Sequence, residues 1–275
     1  MIELEDNVGD IVGKAQRGLG ISDSELANKS GANADTIRKV RDGNFDEATL
    51  RAVAPALDLD ADTLVDLAAG KYRPAELKNF DGLAQFSTSY SGMLVNAYLV
   101  WDHATKHAVA FDTGADCASM LKLATKENLS LKMILLTHAH PDHVADLPRL
   151  REETGAEVFA PAREPVPGAD KIEEGKHFQL GKIDIEARLT WGHSPGGMTF
   201  VCIGLARPIA IVGDSMFAGS MGGGSVSYKD AVKNNFEKIL TLSDETIICP
   251  GHGPMTSVGE EKQHNPFFAH KFARK

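Results

Sequence analysis

Two rhythms of apolar residues divide this chain. Over roughly the first 70 residues, Leu26 and Ala27, Ile37 and Val40, then Leu50, Val53, Leu57, Leu64 and Leu67 recur at helical spacing. Ser22 and Glu25 stand at capping-box spacing, Gly31 breaks the stripe, Asn33 starts the next helix and Gly43 ends it. From Leu77 the period shortens. Residues 83–89, 94–101 and 108–111 read as strands, the last ending at Asp112-Thr113-Gly114. A helix is predicted over 116–128, then a buried strand at Met133–Leu136, a helix over 146–154 and a short strand at 158–160. A Pro-rich loop at 161–169 follows, then strands at 178–191 and 198–204. Pro208–Val212 runs into Gly213-Asp214, a helix spans 229–242, and Thr246–Cys249 is a final strand. Hairpin-like strands followed by alternating strand and helix imply an α/β fold of sheets covered by helices, preceded by a small all-α segment.

Charge follows the same division. Residues 1–70 hold seven Lys and Arg against fourteen Asp and Glu, a net of −7, which leaves −2 of the total −9 for the remainder. The expected boundary lies near Gly70–Pro74, giving domains 1–70 and 71–275. A hydrophobic fraction of 43% supports a sizeable core. The opening residues Met1–Asp6 lack the basic and apolar parts of a signal peptide, and no stretch approaches a membrane span. Cys117, Cys202 and Cys249 show no CxxC spacing and read as buried free thiols. Together these features imply a cytoplasmic protein with no membrane partner.

Gly20-Ile21-Ser22, Glu25-Leu26-Ala27, Thr36-Ile37-Arg38, Gly43 and Leu57-Asp58-Leu59 resemble the repressor-type helix-turn-helix family. That resemblance implies a DNA reader with Arg38, Lys39 and Arg41 on its recognition helix. Neutralising phosphate needs positive charge, and a segment at −7 that places Asp35 at the start of that helix opposes it. The expectation is a packing or self-association module that can be removed without loss of the chemistry downstream. DNA is the disfavoured partner.

The chemistry concentrates in Thr137-His138-Ala139-His140-Pro141-Asp142-His143, directly after the Met133–Leu136 strand. Imidazole and carboxylate are donors that zinc, manganese and iron accept. Four such groups in one turn would crowd a single ion, so the cluster suggests two neighbouring ions completed from elsewhere. Three later turns supply candidates: Gly192-His193-Ser194-Pro195, Gly213-Asp214-Ser215 and Pro250-Gly251-His252-Gly253-Pro254. Each follows an apolar strand, and Gly or Pro in such turns lets backbone approach closely. Five of the ten histidines fall in the four turns taken together.

The HxHxDH…H…D…H order resembles the metallo-β-lactamase superfamily, from about residue 77 to 268. Gly213–Gly222, Pro254–Glu261 and Asn265-Pro266-Phe267 are similar to its glyoxalase II (hydroxyacylglutathione hydrolase) branch. The resemblance implies an αββα sandwich. It also implies one metal on His138, His140 and His193, a second on Asp142, His143 and His252, and Asp214 bridging both. The ions would be two divalent metals per chain, zinc foremost, with iron or manganese as alternatives. Two such ions with Asp142, Asp214 and a hydroxide keep about one positive charge, which pulls the pKa of bound water toward roughly 7. Asp142 is the implied catalytic residue, orienting the attacking water or accepting its proton. The expected activity is hydrolysis of a small-molecule thioester or ester, of the S-lactoylglutathione type. A lactonase, or a DNA-binding regulator with a metabolite-sensing metal domain, is the alternative.

Two substitutions depart from the family pattern: Ala145-Asp146 replaces a frequent glycine pair, and Gly223 stands where close relatives often carry arginine. The chain runs only about twenty residues past His252, so the glutathione-binding C-terminal helices of longer relatives are not expected. Asp112 could hydrogen-bond a ligand histidine or cap a turn. Asn96 reads as a structural hydrogen bonder, and Tyr228 as a helix start or a substrate contact. Gly222-Gly223-Gly224 lacks the Lys-Ser/Thr of a phosphate loop.

Overall fold

The computed structural model describes residues 2–76 and 81–272; Leu77, where the rhythm changes, lies outside them. Five helices come first: α1 (Val8–Gly18), α2 (Asp23–Ser30), α3 (Ala34–Arg41), α4 (Glu47–Val53) and α5 (Ala61–Ala68). The Ser22–Glu25 capping box and the Asn33 cap form as the sequence requires.

One sheet follows, in the order β1 (Leu83–Tyr90), β2 (Met93–Trp101), β3 (His107–Phe111), β4 (Ser130–Leu135), β5 (Glu157–Pro161) and β6 (Asp170–Ile172). Its first three strands are antiparallel and the rest parallel. Three helices belong to this half: α6 (Ala118–Lys126), α7 (Pro141–Val144) and α8 (Leu147–Thr154). The second sheet contains β7 (His177–Leu180), β8 (Ile183–Leu189), β9 (Met198–Ile203), β10 (Ile209–Gly213), β13 (Ile247–Pro250) and β14 (Thr256–Ser257), in the order β14-β13-β10-β9-β8-β7. A small hairpin, β11 (Met216–Phe217) with β12 (Ser220–Met221), follows β10, and α9 (Tyr228–Asn234), α10 (Val258–His264) and α11 (Ala269–Phe272) complete the described chain.

Alternation along the strands builds four layers. On β10, Ile209 and Ile211 enter the core between the sheets, where they meet Phe111, Leu135 and Phe200, while Ala210 and Val212 face the other way. On β2, Tyr98 and Val100 point between the sheets, and Ala97, Leu99 and Trp101 point to the layer holding α6 and α8. The result is helices, sheet, sheet, helices.

The second helical layer differs from the sequence expectation of a removable module. Val12, Leu26, Ile37, Leu50, Leu57 and Leu64 share one core with Ala210, Val212, Met216, Ile248 and Phe268. The N-terminal helices therefore cover the outer face of the second sheet. Polar links reinforce this: the buried Glu261 carboxylate accepts from Tyr72 Oη at 3.2 Å, Thr256 Oγ1 at 2.8 Å and Asn265 Nδ2 at 2.8 Å.

Two elements differ from the sequence reading. The strand expected over 178–191 is a hairpin, β7 and β8, broken at Gly181. That glycine adopts φ +57, and a Cβ there would collide with the Asp102 carboxylate. The helix expected over 229–242 changes after Asn234 into a π-helical turn, Asn235–Ile239, in which Asn235 Nδ2 donates to Ser215 O at 2.6 Å. Cys117, Cys202 and Cys249 are free and buried. No helix of the described residues is long and apolar enough to cross a membrane.

Candidate metal centre

The ligand-type residues emerge where strands of both sheets end. Beyond β4, Pro141 starts α7 and holds its predecessor His140 extended, at φ −66 and ψ 145. His138 and His140 thus leave from extended chain, and Asp142 and His143 from the first helical turn. At the end of β10, Gly213 takes φ +50 at a break in register, with Thr137 packed where a Cβ would be, and Asp214 follows. Beyond β13, Asn96 and Tyr98 of β2 hold the His252 turn. The Asn96 backbone N–H donates to Gly251 O at 2.7 Å, Asn96 Nδ2 to Gly253 O at 2.8 Å, and Tyr98 Oη to Pro250 O at 2.7 Å.

Seven side chains from these turns converge as two groups: His138, His140, His193 and Asp214, then Asp142, His143 and His252. In the first group, His140 Nδ1 lies 3.0 Å from His138 Nε2 and 3.2 Å from His193 Nε2. In the second, His252 Nε2 lies 3.3 Å from Asp142 Oδ2, and His143 Nε2 lies 3.6 Å from the same oxygen. Asp214 stands between them. Its Oδ1 is 3.3 Å from His143 Nε2, and its Oδ2 is 3.4 Å from both His193 and His252 Nε2.

Four of the five imidazoles have their other nitrogen occupied. His143 Nδ1 meets Asp112 Oδ2 at 2.8 Å, His193 Nδ1 meets Gly223 O at 3.0 Å, and His252 Nδ1 meets Leu94 O at 2.6 Å. His138 Nδ1 meets Thr137 Oγ1 at 3.0 Å, and that hydroxyl donates to Asp112 Oδ2 at 2.7 Å. These bonds fix the tautomers so that Nε2 lone pairs point inward. Among the described residues, His143 Nε2 and Asp214 Oδ1 are buried polar atoms with no hydrogen-bond partner. Native interiors rarely tolerate such atoms, and divalent cations would satisfy them both. The donor set of imidazoles and carboxylates fits that role.

Electrostatics agree. Burial pulls His138 and His193 below the ordinary imidazole range, which keeps them neutral and able to ligate. Burial also opposes charge on His143 and His252, but the surrounding carboxylates outweigh it and push them up to about 10 and about 11. Asp214, despite burial, is held well below the carboxylate range by His143 and its neighbours. The centre is a negative potential well that recruits positive charge, whether protons or metal ions.

A profile of the metallo-beta-lactamase superfamily matches residues 90–252. The chain belongs to that superfamily. Hydroxyacylglutathione hydrolase GloC of Haemophilus influenzae is 29% identical over 201 residues, which cover 64% of this chain and 93% of that protein. The solved BLEG-1 B3 metallo-beta-lactamase superposes with a TM-score of 0.60 at 28% identity, covering 67% of this chain and 98% of that one. A relative solved in a di-iron-bound form gives 0.54 at 29% identity, covering 66% of this chain and all of that one.

Sequence reasoning missed Glu164. Its carboxylate accepts from Ser194 Oγ at 2.8 Å, Gly196 N at 2.7 Å and Ala139 N at 3.4 Å, which clasps two ligand turns together. No local pattern marks it within a Pro-rich loop. Asp112 resolves toward the ligand histidines, since it holds both His143 and Thr137. Asn96 positions the His252 turn. Tyr228 packs its ring against α1: a Cβ on Gly18 would stand 2.2 Å from Tyr228 Cγ.

Proposed function

We propose that the chain is a dinuclear metal-dependent hydrolase of thioesters, with S-lactoylglutathione as the reference substrate. The observation that carries the reading is the convergence of seven ligand-type side chains, Asp214 between the two groups, with two of their atoms buried and without a hydrogen bond. One metal would sit on His138, His140 and His193, the other on Asp142, His143 and His252, and Asp214 would serve both. Zinc, iron and manganese all suit this donor set. Bound divalent ions supply Lewis acidity and acidified water at neutral pH. The chain's own part is to place that chemistry. Asp142, partly exposed at the start of α7, is the carboxylate able to orient an attacking water and take its proton. The identity to hydroxyacylglutathione hydrolase GloC supports a thioester substrate.

The helix-turn-helix reading of α1–α5 stays a proposal for architecture. On α3, Arg38 is ion-paired to Asp35, and Arg41 pairs with Asp23 at 2.8 Å, which leaves little free charge for phosphate. Self-association is the role we favour for its exposed α2–α3 face.

Metal analysis should find about two ions per chain, because seven donors exceed one tetrahedral site. Turnover should appear on thioesters ahead of lactones and phosphodiesters and should vanish with a chelator. His140→Ala should abolish most of it, whereas His264→Ala, which touches Tyr72 away from the ligands, should retain it. One ion in fully loaded protein, or equal losses in the two variants, would refute the assignment.

A further inference from the structure

The loop from Asp214 to Gly223 leaves one ligand-type residue and returns to another. Asp214 stands between the two ligand groups, and Gly223 O accepts from His193 Nδ1 at 3.0 Å. The returning chain passes so close to its start that a Cβ on Gly222 would stand 1.7 Å from Asp214 O and 3.1 Å from His193 Nδ1. Within the loop, Phe217 packs edge-on to His252, with ring centroids 5.8 Å apart. A shift of this loop would move the supports of one histidine from each group.

The helical layer holds the loop. Lys14 of α1 places Nζ 5.0 Å over the Phe217 ring and donates to Met221 O at 2.9 Å. Asp6, just before α1, is ion-paired to Lys14 and accepts from Ser220 Oγ. Their side chains are only 7% and 15% exposed, Asp6 the more buried. The preceding residue, Glu5, lies against the His252 turn, where a Cβ on Gly253 would stand 3.1 Å from its backbone nitrogen. At the tip of the loop, Glu261 Oε2 accepts from Gly219 N at 3.0 Å. A buried ion pair stabilises a fold little or not at all compared with apolar residues of similar volume. What this pair adds is direction. Its contacts to Phe217, Ser220 and Met221 all fall on the one loop that joins Asp214 to the carbonyl behind His193, and an apolar pair could not make the bonds to Ser220 and Met221.

We propose, on the dinuclear reading above, that Lys14, aimed by Asp6, is a positioning residue for both halves of the metal centre. It sets His252 through the Phe217 ring, and His193 through Met221 and the Gly223 carbonyl. The N-terminal layer thereby bears on the ligands as well as on the core beneath it.

The test compares the full-length wild type with Lys14→Met, with Asp6→Asn/Lys14→Met, which leaves no unpaired buried carboxylate, and with Ile37→Val, which loosens the same core from α3. Competition with a chromophoric chelator should show both Lys14 variants weakened for at least one ion by about tenfold, the scale for groups that orient ligand histidines. The visible d–d bands of the cobalt(II) form should shift in the same two variants. Ile37→Val should keep wild-type affinity and bands. In metal-free protein, the ring nitrogen signals of His193 and His252 in proton–nitrogen NMR spectra should move in the Lys14 variants, while those of exposed His177 stay. If wild type takes up fewer than two ions, the dinuclear reading falls and the ring signals alone decide the role of Lys14. Ring signals that stay in place in a folded Lys14 variant, or that move equally in Ile37→Val, overturn the proposal. So does a Lys14 variant that binds two ions with wild-type affinity and cobalt bands.

Discussion

Asp112 orients two of the ligand-type histidines, His143 directly and His138 through Thr137. It adopts φ +57, a left-handed conformation that costs a non-glycine residue of order 1 kcal/mol or more. Its carboxylate then receives the Thr137 backbone N–H and hydroxyl, each at 2.7 Å, and His143 Nδ1 at 2.8 Å. Through Thr137 it also orients His138. Asp112→Asn keeps the size but turns one acceptor into a donor, so one of these bonds must break. Metal affinity should fall about 10- to 100-fold, as for other groups that orient ligand histidines. Competition with a chromophoric chelator measures it, and an unchanged affinity would show that His143 is oriented by something else.

Elements deliver the ligands in pairs that must approach closely, and glycine makes room. Around Asp214, a Cβ on Gly251 would fall 2.2 Å from Asp214 Oδ1 and 2.7 Å from His143 Cε1, and one on Gly222 would fall 1.7 Å from Asp214 O. The turns after β10 and β13 are also hydrogen-bonded to each other, Gly251 N to Gly213 O at 2.8 Å. Gly251→Ala can be relieved only by moving Asp214 or the His252 turn. It should leave the chain folded, with far-ultraviolet dichroism like wild type, yet bind clearly fewer than two ions. Full metal content in this variant would mean that the turn has slack not evident in its contacts.

For the whole molecule, the question is whether the helical layer can be removed. Taking away residues 1–70 would strip cover from Val212, Met216, Met221, Ile248 and Phe268. At about 1.5–3 kcal/mol for each fully buried apolar side chain, the loss is of order 10 kcal/mol. That matches the whole stability of a typical domain, roughly 5–15 kcal/mol. The truncated chain should therefore aggregate or lose near-ultraviolet dichroism and fail to bind metal stoichiometrically. A folded, metal-loaded truncation would show that this core is dispensable.

Within the sequence, local information was complete where the physics is local. Capping pairs such as Ser22 with Glu25 and the two-residue alternation of Ile209–Val212 each depend on neighbours a few positions away, and they specified helices, strands and layers. The four ligand turns were legible because histidines and aspartates at the ends of apolar strands are conspicuous. Tertiary structure alone decided which side chains meet across turns up to 110 residues apart, as Asp142 meets His252. It alone recruited Glu164 from a Pro-rich loop, turned the chain at Gly181 where Asp102 occupies the space beside it, and laid Glu5 against Gly253 in the His252 turn. It also made the first 70 residues part of the core. Their charge and period set them apart from the rest of the chain, but an amphipathic stripe does not state which surface it will cover. That partner is fixed only when both apolar faces exist in three dimensions.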